Sequence, residues 1–160
     1  MEKQNVFFKQ LQPEQAAEVQ AYVDTVLRSG SPVNPIALAE DGALVGKWKL
    51  EFSTESRYSV LPPGVDVFNY IYEAGRQGRL DNVLRFNNSP VVKSLRVTAD
   101  YEVQSDSRIT FLFKEIFAEI FGCRLPLPFF GGGDGFVSVD YFDGTFWIER
   151  FEDYKQDGTS

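Results

Sequence analysis

The chain has 160 residues, 43% of them hydrophobic, and a formal charge of −7. That length suits one domain with a real core, and the negative balance argues against nucleic acid or an anionic membrane as an electrostatic partner, while saying nothing against contact through apolar groups. With no histidine and a single cysteine, a Ser-His-Asp or Cys-His machine, a His-based metal site and an intrachain disulfide are all excluded.

Met1–Gln15 carries neither the charged-then-apolar pattern of a secretory leader nor the Arg/Ser-rich, acid-poor character of a transit peptide. Either no such segment exists or the sequence starts after one. Pro13–Arg28 is predicted to be a helix: Pro13 suits the first turn, Ala16, Val19, Val23 and Val26 recur at helical spacing, and Gly30 and Pro32 stop it. Ser29–Gly42 reads as a loop with a short turn at Ile36–Ala39. In Leu44–Ser53, Trp48, Leu50 and Phe52 alternate with Lys47, Lys49 and Glu51, the period of a half-buried strand. Pro62-Pro63-Gly64 is a turn. Val67–Ala74 fits strand or helix, and Asn82–Asn87 is a short strand. Ser94–Val103 has the longest alternation, with Leu95, Val97, Ala99, Tyr101 and Val103 on one face. Arg108–Lys114 repeats it through Ile109, Phe111 and Phe113, and Gln104–Ser107 joins the two as a hairpin.

Glu115–Gly135 breaks that rhythm. Ile116, Phe117, Ile120 and Phe121 stand at helical spacing, and the prolines of Leu125-Pro-Leu-Pro-Phe-Phe130 forbid a central strand. Phe117, Phe121, Leu125, Leu127, Phe129 and Phe130 are therefore read as an apolar lid. It either closes one end of the core or serves as an insertion loop for a lipid surface or partner. Phe136–Phe151 is a hairpin about Asp143-Gly144. A two-residue turn would set Tyr141 opposite Phe146, Val139 opposite Ile148 and Val137 opposite Arg150.

One helix with seven or eight short, mostly antiparallel strands makes an all-β-dominated chain, a closed barrel or a sandwich. The aromatic inward faces favour the barrel. The expected division is an N-terminal arm and packing helix over 1–30, a β-barrel over 31–152 and a disordered tail over 153–160. Trp48, Tyr101, Phe111, Phe113, Tyr141 and Phe146 would line the interior, with Arg150 at the mouth holding a polar head group. The competing readings are that the rings fill the interior, that Trp48 plugs one end, and that Arg150 pairs with a carboxylate. Asp143 is accounted for by its turn, Asp140 by solvent, and Cys123 lacks a base or resolving partner. No residue is read as catalytic or metal-ligating.

Three segments then fit one pattern. Leu44-Val-Gly46-Lys-Trp48-Lys-Leu50-Glu-Phe52-Ser53, Asp81-Asn82-Val83 with Phe86, and Asp140-Tyr141-Phe142-Asp143 with Ile148 and Arg150 resemble, in order and spacing, the plastid lipid-associated protein (PAP, fibrillin) family. Trp147 stands where the closing motif often has its first Arg, and Phe151 where it has Gly. The resemblance implies a lipocalin/calycin-like antiparallel barrel and a photosynthetic setting, plastid or cyanobacterial, near thylakoids or plastoglobules. It implies a non-enzymatic role in binding a hydrophobic small molecule: a carotenoid, quinone or lipid. The alternatives are an interaction module docking through 116–130 on a thylakoid membrane protein complex, and a lipocalin-fold enzyme.

Overall fold

The computed structural model describes residues 13–30, 33–53, 61, 64–104, 108–129 and 134–152. The arm before Pro13, the Pro62-Pro63 turn, the 105–107 connection, Phe130 with the three glycines after it, and the 153–160 tail lie outside them.

Helix α1 spans Pro13–Ser29 and α2 spans Pro35–Glu40. The second is a true helix rather than a turn. Asn34 caps it, its side-chain oxygen accepting from the Ile36 and Ala37 amides at 3.0 and 3.3 Å, and Pro35 fills the first position, where no amide is needed. The strands are β1 Gly46–Lys49, β2 Val65–Ile71, β3 Gln77–Phe86, β4 Val92–Val103, β5 Arg108–Ile120, β6 Cys123–Leu127, β7 Asp134–Phe142 and β8 Trp147–Glu152. The strand-or-helix segment thus resolves as strand as far as Ile71.

All neighbours are antiparallel, in the order β1-β2-β3-β4-β5-β7-β8. The result is one curled half-barrel with an N-terminal helix, a lipocalin-like arrangement. Among the described residues β1 and β8 exchange no ladder hydrogen bonds. Aromatic rings span the gap instead: Trp48 of β1 lies 5.5 Å from Phe142 and 5.6 Å edge-on from Trp147, within the range of favourable ring pairs.

Two bulges decide which side chains face inward. Ala99 pairs with Phe113 and Thr98 with Glu115, so Lys114 is the extra residue. Before it Ile109, Phe111 and Phe113 lie on the core face; after it Ile116, Ala118 and Ile120 do. Ile116, Phe117, Ile120 and Phe121, which stand at helical spacing in the sequence, belong instead to the second half of a 13-residue strand and the turn after it: Ile116 and Ile120 share the core face and Phe117 lies on the other. The proline-bearing segment after it is strand β6, which among the described residues pairs only with β5. Proline is tolerated there because β6 is an edge.

The second bulge is Asp140, between the pairs Val139–Glu149 and Tyr141–Ile148. The β7–β8 loop has four residues, not two. The Asp143 amide donates to the Phe146 carbonyl, and the Asp143 carboxylate accepts from the Thr145 and Phe146 amides at 2.8 and 2.6 Å. Those amides hold the Asp143 carboxyl below its ordinary value. Phe142 and Trp147 therefore take the inward places expected of Tyr141 and Phe146.

Candidate functional site

The core face has two differently built ends. Where β2 leads into β3, α2 lies over the sheet. Ala39 and Leu44 join Ile71, Leu80, Ala99, Tyr101, Val103, Ile109, Val137 and Val139 in one buried cluster, with Trp48, Phe111, Phe113, Phe142 and Trp147 packed against it. Tyr101 is buried, and its hydroxyl donates to the Glu73 and Gly75 carbonyls, with oxygen separations of 2.8 and 3.2 Å. Burial raises its pKa, as does the nearby Glu73 charge. The Trp48 indole donates to the Leu44 carbonyl at 2.8 Å. Four of the seven predicted lining residues, Trp48, Tyr101, Phe111 and Phe113, thus come together and fill this end.

The other three do not join them. Tyr141, turned aside by the Asp140 bulge, is half-buried beside Gly30 at the end of α1 and donates to Asp143. Phe146 is 50% exposed in its turn. Arg150 sits opposite Ser138 on the outer face, one register step from the expected inward position. It makes a two-pronged ion pair with Asp140, at 3.1 and 2.8 Å. The carboxylate-pairing reading of Arg150 is the one the geometry supports.

Beyond Phe113 the core face continues towards the β5–β6 hairpin through Leu84, Leu95, Val97, Ile116 and Ile120, all half-buried. Leu125 and Leu127 extend it, opposite Ala118 and Ile116, and are 45% and 39% exposed. The predicted lid is therefore a hairpin. Leu125 and Leu127 share the core face, Phe117 lies on the opposite face beneath the Arg124 guanidinium, and Phe121 forms the tip. Within this aliphatic surface an amide pair, Asn82 to Asn69 at 2.8 Å, supplies polar atoms. The alternation of Leu95 and Val97 is visible in the sequence. Their meeting with Leu125 and Leu127 is not, because the Lys114 bulge conceals the register.

The outer face carries a second arrangement that sequence reading did not find. Asp81, 3% exposed, accepts from the Tyr72 hydroxyl at 2.7 Å and pairs with Arg96. Burial pushes its carboxyl up, but the Tyr72 and Arg96 hydrogen bonds and the Arg96 charge outweigh that and leave it below its ordinary value. Burial raises Tyr72, as does the adjacent Asp81. Tyr70 stacks beside Tyr72, and Lys47 lies 4.1 Å from the centre of the Phe68 ring. The network ties β2, β3 and β4 together. Spacing gives no signal for it, since its members meet only through the strand register.

Among the described residues no group of Cys, Asp and Glu could hold a metal ion, and no helix is long and apolar enough to cross a membrane. The PAP_fibrillin family model matches residues 8–142. No curated protein and no solved structure matches the chain.

Proposed function

The chain belongs to the PAP_fibrillin family, generally one of structural lipid-associated proteins, and from that premise we propose that it binds a hydrophobic small molecule without chemically transforming it. The ligand class is a carotenoid, quinone or lipid held at photosynthetic membranes. One observation carries the reading: the core face stays aliphatic past the filled end and reaches the surface at Leu125 and Leu127. Apolar area left open on a concave sheet is stabilised by whatever covers it, at roughly 25 cal/mol per Å². An isoprenoid or acyl chain lies along Leu84, Leu95, Val97, Ile116 and the two hairpin leucines. Its oxygen function meets the Asn69–Asn82 pair. Trp48, Tyr101, Phe111 and Phe113 form the packed floor beyond the ligand.

The test is mass spectrometry and absorption of an organic extract from the protein purified out of a photosynthetic host. A lipophile near one equivalent is expected, and its loss is expected in the Leu125→Asn/Leu127→Asn double variant with the fold intact. A clean extract, together with failure to take up an added carotenoid, quinone or lipid, would overturn the reading.

A further inference from the structure

We propose that the tip of the β5–β6 hairpin, with the adjoining β3–β4 turn, is a docking edge that enters a phospholipid surface. Phe121 would sit among the acyl chains, and Lys93 and Arg124 would lie at the level of the phosphates. This goes beyond small-molecule binding and does not depend on it.

The first observation is a residue that its own turn disfavours. Ile120 pairs with Cys123, so the connection is the two residues Phe121-Gly122, with φ of 50° and 78°. Such a turn needs positive φ at both positions and favours Asn, Asp or Gly at the first. A phenylalanine there is a backbone outlier. It also gains nothing by burial, since Phe121 is 74% exposed, the largest value among the exposed large hydrophobics of the described residues. Neither turn chemistry nor packing within the chain explains this side chain. Apolar contact outside the chain does. Phe121 is not isolated: its amide donates to the Val91 carbonyl at 3.0 Å, and Val91 is exposed on the neighbouring turn.

The second observation is charge. The charged residues within Arg85–Lys93 and Phe117–Arg124 are Arg85, Lys93, Arg124 and Glu119, and Asp66, opposite Arg85, is paired with Lys49. Glu119 accepts from the Ser94 hydroxyl, the Lys93 ammonium donates to the Ser89 carbonyl, and the Arg124 guanidinium lies 3.8 Å from the centre of the Phe117 ring. The opposite rim reverses the balance: Glu40, Asp41, Glu73 and Glu102 stand there with Arg76 and Arg108. Among the described residues the other exposed phenylalanine, Phe146, belongs to the Asp143 turn on that acidic side. A chain of net charge −7 thus offers its apolar tip with a local cationic excess, which complements phosphate head groups.

Shape selects the occupant. A stable protein–protein interface needs about 800 Å² of complementary surface on each partner. A two-residue convex tip suits a deformable lipid interface, where one aromatic ring can insert. In this orientation the acidic rim points away from the membrane. The exposed Leu125 and Leu127 then lie near the lipid, a route for ligand entry if the preceding reading holds.

The experiment is flotation with ligand-free vesicles of phosphatidylcholine alone and of phosphatidylcholine with phosphatidylglycerol. Phe121→Asn puts the favoured residue into the turn, so its melting temperature is expected to match or exceed that of the parent, while vesicle affinity falls by at least about tenfold. Lys93→Glu/Arg124→Glu is expected to remove the preference for phosphatidylglycerol. In a Phe121→Trp variant, brominated acyl chains are expected to quench the new indole. Full vesicle binding by Phe121→Asn, or no vesicle binding by the parent, would overturn the proposal. So would tip-dependent capture of a protein without vesicle binding. Lipophile retention is read separately, so either proposal can fail alone.

Discussion

At the α2 end the core face of the sheet is roofed by Ala39 and Leu44 and filled by Trp48, Tyr101, Phe111, Phe113, Phe142 and Trp147. At the β5–β6 end the same face runs out through Leu95, Val97 and Ile116 to Leu125 and Leu127, which stay exposed. Both ends are apolar, and what separates them is cover. A short capped helix and an aromatic contact across the unpaired edges close the first, while at the second Val67 and Ala118 are buried and the edge hairpin extends the face to the exposed Leu125 and Leu127. Composition alone therefore cannot distinguish a packed core from an apolar face that reaches the surface. The difference lies in which elements the topology folds over which half of a continuous sheet.

That contrast can be broken from either side. At the filled end, Tyr101→Ala is expected to cost about 3–5 kcal/mol in a urea titration, because a buried ring and two hydrogen bonds are lost together. If it cost less than a surface substitution, the packed end would have to be hollow. Asp81→Asn is expected to destabilise by about 1–3 kcal/mol at neutral pH, since a buried hydrogen-bonded charge loses its pairing. The sign of its pH dependence follows from the lowered folded-state pKa. The contribution of Asp81 is present above its ordinary value of 3.8 and is lost as pH falls through the lower folded value. Parent and variant stabilities should therefore converge in acid, and a gap that widened there would contradict the network.

At the open end, Leu125→Asn/Leu127→Asn is expected to cost less than about 1 kcal/mol, as surface changes do, while abolishing lipophile retention. Unfolding of this variant would show that the hairpin is core after all. The smallest effect is expected at Arg150→Ala: a few tenths of a kcal/mol for an exposed ion pair, with retention unchanged. Loss of ligand there would restore Arg150 to the site and sharpen the comparison in the opposite direction.

Much of the fold was legible in the sequence. The period of two in Leu95–Val103 and in Ile109–Phe113 marked two strands of one hairpin, and Pro13 with the Ala16–Val26 stripe marked α1. The errors cluster at bulges. Lys114 shifted the inward face from Ile109, Phe111 and Phe113 to Ile116, Ala118 and Ile120, and Asp140 moved Phe142 and Trp147 inward in place of Tyr141 and Phe146. A bulge changes the face of every later residue without changing composition, so periodicity misreads it. Trp48, Tyr101, Phe111 and Phe113 of the predicted lining lie in or against the core cluster, and Arg150 stands one register step from its expected place.

The sequence by itself determined the charge, the lack of histidine chemistry, the antiparallel strand content and the segments that resemble the family. These are properties of residue type, local spacing and order. Tertiary structure decided that Trp48 reaches Phe142 and Trp147 across the unpaired edges, that Asp81 is buried with Arg96 and Tyr72, and that Phe121 stands out beside Val91. Each of these depends on pairing between residues distant in the chain, and register and curl set those distances.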